Sequence, residues 1–145
     1  KDREDSGLYT PYCLRYCSMI QKPSQDKLID LRSRIETCNE EIDIPYHDAL
    51  SRHFDRYARK NLDRDLTWYE MADPASIINT QSYITRRRLL VILNAMIDGT
   101  FRYFDLPLVV DFDGDLYVWN GHHRLYVARA LGLREVKVLC MGMKE

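Results

Sequence analysis

The stretch LVVDFDGDLYVWNGHHRLYVARALG, residues 108–132, constrains the fold of this chain more than any other segment. Leu108 to Phe112 is apolar and β-branched, Asp113-Gly114 favours the positive φ of a tight hairpin turn, and Asp115 to Trp119 runs back as a second strand. A second turn signal, Asn120-Gly121, then changes the period. Leu125, Val127, Ala128 and Leu131 recur at helical spacing as far as Gly132, a C-terminal stop. The order strand, turn, strand, turn, helix predicts a hairpin that hands the chain directly to a helix. Such a helix opens with backbone N–H groups that have no partner inside it.

The flanking segments supply the remaining layers. Ser24 caps a helix carrying Leu28, Leu31, Ile35 and Cys38, and a second helix after Pro45 carries Leu50, Phe54 and Tyr57 on one stripe. Its other face holds Arg52, Asp55, Arg56, Arg59 and Lys60, a solvated surface or an anion-binding one. Leu66 to Met71 reads as a short strand ended by Asp73-Pro74. A helix over 82–98 carries Leu89, Ile92, Leu93, Met96 and Ile97 and stops at Gly99. Glu135 to Met141 closes the chain as a strand. This order describes an α+β fold, a small mixed β-sheet with packed helices. Residues 63–145 form the main domain and residues 1–62 a helical N-terminal extension packed onto it.

Charge and cysteine usage bound the function. A formal net charge of −1 over 145 residues excludes coating of nucleic acid by bulk electrostatics, so any phosphate contact must come from a local cluster. The longest apolar run, Leu89 to Leu93, is too short to span a membrane. No signal peptide is visible and Cys13, Cys17, Cys38 and Cys140 lack the spacing of a zinc site, so a cytoplasmic protein with reduced thiols is expected.

The local cluster is Gly121-His122-His123-Arg124. Gly121 permits a backbone geometry closed to other residues and a close approach of ligand to the main chain. The residues after it combine N–H donors, a positive helix end, imidazoles and a guanidinium, which together suit phosphate oxygens. Arg86, Arg87 and Arg88 form a second cluster in the first turns of the preceding helix, where cations oppose the dipole; a bound anion such as nucleic acid would account for them, as would solvated pairing with neighbouring acids. Tyr83 and Tyr126 are stacking candidates or core residues, and Trp119 reads as packing. Asp111, Asp113 and Asp115 are candidate metal ligands, although alternation splits strand neighbours between faces and the turn alone explains Asp113.

From Asp73 to Met141 the chain resembles the ParB/sulfiredoxin superfamily, the ParB-like N-terminal or ParB-like nuclease domain. Ile77-Ile78-Asn79-Thr80-Gln81 is similar to the segment that leads into the family's first long helix, Leu106-Pro107-Leu108-Val109-Val110 to its proline-hydrophobic-valine strand, and Gly121-His122-His123-Arg124 to its signature box. The resemblance implies that the box binds phosphates of nucleotides or nucleic acid, with Gln81, Asn120, Gly121 and Arg124 holding the ligand. It also marks departures. Sulfiredoxins carry a cysteine where His122 stands, which argues against thiol chemistry. The serine-phosphorylating relatives use carboxylates where this chain has Asn120 and, nearby, Gln81. The helix-turn-helix domain of chromosome-partition relatives does not follow the box here.

The expectation is a stand-alone phosphate-ligand-binding domain of the ParB-like nuclease kind, with a nucleoside triphosphate and Mg²⁺ or Mn²⁺ as candidate cofactors. In a phosphoester-cleaving enzyme Arg124 would neutralise charge while His122 or His123 moves protons. Adjacent residues at a helix start diverge, so only one of the two histidines is expected to face the ligand. The alternatives are a non-catalytic nucleotide-binding or adaptor module that meets a protein partner through the N-terminal helices, and a nucleotide-dependent phosphotransferase.

Overall fold

The computed structural model describes residues 23–100 and 106–144; Cys13 and Cys17 lie outside them. Helix α1, Gln25–Glu36, starts where the Ser24 hydroxyl accepts from the Lys27 N–H at 3.3 Å. Its buried residues are Leu28, Leu31 and Ile35. Strand β1, Glu41–Asp43, comes next. Helix α2, Asp48–His53, is capped by His47, whose Nδ1 accepts from the Leu50 N–H at 3.2 Å. It continues as a π turn, Phe54–Ala58, and a 3-10 turn, Arg59–Asn61. Strand β2, Leu62–Ala72, then a 3-10 turn, Pro74–Ser76, and strand β3, Tyr83–Thr85, lead to helix α3, Arg86–Asp98. The chain closes with β4 Leu108–Phe112, β5 Asp115–Asn120, α4 His122–Ala130 and β6 Val136–Met143.

Four strands make a mixed sheet in the order β2-β6-β4-β5. Within it β2 and β4 flank β6, antiparallel and parallel respectively, and β5 pairs antiparallel with β4 at the edge. Strands β1 and β3 make a separate antiparallel pair. The fold is α+β, as the order of signals implied.

Alternation places Val109 and Val110 on opposite faces of the sheet, and each face has its own cover. Leu125 and Ala128 of α4 pack with Val109, Val118, Val136, Val138 and Cys140 on one side. Phe54 and Ala58 pack with Val110, Tyr117 and Met141 on the other, where the Phe54 and Tyr117 rings stack with centroids 4.7 Å apart. A third cluster joins Leu28, Leu31 and Ile35 of α1 to Ile84 and to Leu89, Ile92, Leu93 and Met96.

Several boundaries differ from the sequence expectation. The described part of residues 1–62 is not wholly helical, because Glu41–Asp43 pairs with Tyr83–Thr85. Its packing is through the core: α1 shares a cluster with α3, and Phe54 lies under the sheet. The helix expected from Ser82 starts at Arg86, since Ile84 is drawn into pairing with Ile42 and Thr85 adopts extended backbone. The strand expected over Leu66 to Met71 runs from Leu62 to Ala72, with an irregularity between Asp63 and Thr67. Of the Leu50, Phe54 and Tyr57 stripe only Phe54 is buried. The π turn beginning there widens the helical period, so Tyr57 is rotated off the face that an α-helix would align with Phe54. Among the described residues no helix is long and apolar enough to cross a membrane.

Candidate functional site

The turn between β5 and α4 is built around Gly121. Its φ of 119° lies in the region L side chains rarely adopt, and a Cβ there would sit 3.0 Å from both Cα and Cβ of Pro107. Glycine is therefore required twice, by backbone angle and by contact. The first bond of α4 runs from the Leu125 N–H to the Gly121 carbonyl at 3.0 Å. The backbone amides of His122, His123 and Arg124 lie ahead of that bond, at the positive end of the helix.

Beside this turn is a cavity of about 440 Å³. The sequence-predicted Gln81, Asn120, Gly121, His122, His123 and Arg124 all line it. Arg88, Val91 and Ile92 of α3 form a further wall, because positions three and four residues apart share a helix face. Trp119 completes the rim, with the Arg59 and Arg64 guanidinium carbons 4.5 and 5.2 Å from its ring centroid. The three neighbouring arginines are separated. Arg86 turns away, donating to the Cys38 carbonyl at 2.8 Å and lying 3.6 Å from Glu40. Arg87 is exposed and outside the cavity, and Arg88 lines it.

Both histidines line the cavity, and both are fixed by backbone. The Nε2 of His122 accepts the Thr80 N–H at 3.0 Å, and Thr80 in turn donates its hydroxyl to the Val118 carbonyl at 2.8 Å. The Nε2 of His123 accepts the Thr85 N–H at 3.0 Å, which secures the residue that opens α3. An imidazole nitrogen that accepts from an amide is unprotonated, so each ring carries its proton on Nδ1. Burial, with Arg129 and His123 nearby, lowers His122 to about 4. Burial, with Arg88 and Arg124 nearby, also lowers His123 to about 4. At neutral pH the pair is uncharged. Their Nε2 lone pairs are engaged in holding the 80–85 segment in place. Both rings thus pin the 80–85 segment, His122 from a buried position and His123 from a half-buried one.

The organising residue that sequence reasoning missed is Arg129. Its Nε donates to the Pro74 carbonyl at 2.7 Å, Nη1 to Asn79 Oδ1 at 2.9 Å and Nη2 to the Ile77 carbonyl at 2.8 Å. Asn79, buried, passes the restraint on to the Pro45 carbonyl at 2.8 Å. One signal was available: an arginine between two alanines, on a short helix, where a buried guanidinium must find acceptors. Asp111, Asp113 and Asp115 do not assemble; among the described residues no group of three His, Cys, Asp or Glu side chains is arranged to hold a metal ion.

No protein-family model, no curated protein and no solved structure matches the chain.

Proposed function

We propose that this chain is a phosphate-ligand-binding module of the ParB/sulfiredoxin-like kind, and that the cavity at the start of α4 takes a phosphate of a nucleotide or of nucleic acid. The carrying observation is the composition of that cavity. Arg88, Arg124, two side-chain amides and a helix N-terminus converge on it, and no carboxylate lines it. A cationic wall without acidic neighbours favours an anion by Coulomb attraction and by charge-assisted hydrogen bonds. The volume of about 440 Å³ falls in the range of small-ligand sites. Val91, Ile92 and Trp119 offer an apolar surface to whatever carries the phosphate.

Binding is better supported than cleavage. A general base needs a free lone pair within reach of the proton it takes, and both Nε2 atoms are spent on the Thr80 and Thr85 amides. His122 and His123 act in this reading as positioning residues. Mg²⁺ binds through carboxylates together with ligand phosphates, so a divalent ion here would arrive on the ligand's phosphates. The buried residues of α1 pack against α3, so a protein partner would meet the exposed remainder of that helix, Ile29 included.

The test is a binding panel of nucleoside triphosphates, single-stranded DNA and duplex DNA, with and without Mg²⁺ or Mn²⁺, followed by product analysis. Saturable binding without turnover is expected. Absence of binding to every phosphate-bearing ligand would remove the proposal, and turnover would restore phosphoester cleavage or phosphotransfer.

A further inference from the structure

At the other end of β5 a second cleft, of about 650 Å³, lies between α2 with its π turn and the β4–β5 hairpin. It shares no lining residue with the first. Arg52, His53, Arg56 and Tyr57 line it from the helical side, Phe112 and Asp113 from the hairpin. His53 Nε2 stands 3.1 Å from Asp113 Oδ2. Its ring lies between Tyr57 and Phe112, with centroids 4.8 and 5.2 Å away. The imidazole is thus held on three sides.

The backbone around the cleft is unusual on both walls. The helix changes from α to π pitch at Phe54, immediately after His53, and single π turns concentrate at functional sites. Opposite it, Asp113 has a φ of 53° and is the one non-glycine residue of positive φ among the described residues. That conformation, imposed by the hairpin turn, presents its carboxylate to His53.

We infer that this cleft binds a phosphate monoester carried on a flat ring. Arg52, Arg56 and Tyr57 line its helical side. Two guanidinium groups and a phenol match an oxyanion with three terminal oxygens better than a two-oxygen carboxylate. Arg52 also pairs with Asp48 at 2.7 Å on the exposed surface, a contact an incoming dianion can exchange for its own. The exposed ring of Tyr57, with Phe112 across the cleft, supplies the flat surface that an aryl ester meets and free phosphate cannot use. The inference stands apart from the reading of the first cavity, because it uses none of its residues.

The test is a titration of the full chain with phenyl phosphate and with inorganic phosphate, followed residue by residue by NMR. Phenyl phosphate is expected to give saturable shifts at the His53 imidazole and the Gly114 amide, at least threefold tighter than inorganic phosphate. Arg56→Gln, a change of an exposed side chain, should weaken this response about tenfold and leave any response of the Gly121 to Arg124 amides unchanged. Arg124→Gln should leave the His53 response intact. No shift at His53, or a shift insensitive to Arg56→Gln, would overturn the site. Equal affinity for the two probes would overturn its assignment to an aryl ester.

Discussion

Strand β5 begins and ends at turns that need positive φ, and histidine chemistry stands beside each of them. At its C-terminal end His122 and His123 accept from backbone amides. At its N-terminal end Asp113 faces His53, whose side chain is 44% exposed. The same residue type serves opposite purposes. An amide partner uses the lone pair of an imidazole and holds the ring neutral, whereas a carboxylate partner takes a donated proton. What a histidine does is thus decided by the atom opposite Nε2 and by burial, and a string of letters reports neither.

The two turns differ most in how each would tolerate a Cβ. Gly121→Ala should cost about 3 kcal/mol or more, because the new Cβ meets Pro107 and the backbone angle is also unfavourable. Gly114→Ala meets nothing within 4 Å and should cost only about 1 kcal/mol from its φ. Urea unfolding of both variants measures the difference; equal losses would mean that Pro107 yields.

Acid is the next lever. His122 is lowered from 6.5 to about 4 in the folded protein, so the unfolded chain binds more protons between these values. Stability is therefore fully present above pH 6.5 and falls as pH drops towards 4, by a contribution on the order of 3 kcal/mol for His122. His123 acts in the same direction but less, being only half-buried and more screened by solvent. Urea midpoints across this range should fall more steeply in the wild type than in His122→Asn. Parallel curves would show that the Thr80 contact does not hold the ring neutral.

Ligand binding sharpens the comparison further. Arg124→Gln and Arg88→Gln should each weaken phosphate-ligand affinity about tenfold. Arg88→Gln should also lower the salt slope of any nucleic-acid binding, while Arg87→Gln leaves it unchanged. Equal effects from Arg87 and Arg88 would show that the ligand extends beyond the cavity. The smallest effect belongs to His53→Gln, within about 1 kcal/mol of wild-type stability because the Asp113 pair is exposed. A larger loss in thermal unfolding would make His53 a structural pin like the other two.

Much of this architecture is legible before any coordinates. The hairpin, the Gly121 turn, α1 with its Ser24 cap and the Gly99 stop all follow from local chemistry. The three-residue strands β1 and β3 do not, because they are too short for a period and Thr85 passes into α3 without a turn residue. The π turn escapes for a related reason: Leu50, Phe54 and Tyr57 fit α spacing, and the tertiary packing around Phe54 is not written in that period. In the candidate site, seven site residues named from the sequence, Arg88 among them, do share one cavity. The triple arginine could not be resolved, since consecutive helical residues point about 100° apart. The histidine partners were equally hidden, lying 42 and 38 positions away in the chain.

The two threonine pins have a kinetic consequence. Their amide hydrogens are held by side chains of α4 rather than by the segment's own backbone, so neither can exchange with solvent until the imidazoles withdraw. A joint opening of the 80–85 segment and the first turn of α4 would release both amides together. Thr80 and Thr85 are natural clocks for that opening, and matched deuterium uptake at the two would time it without any label on the cavity itself.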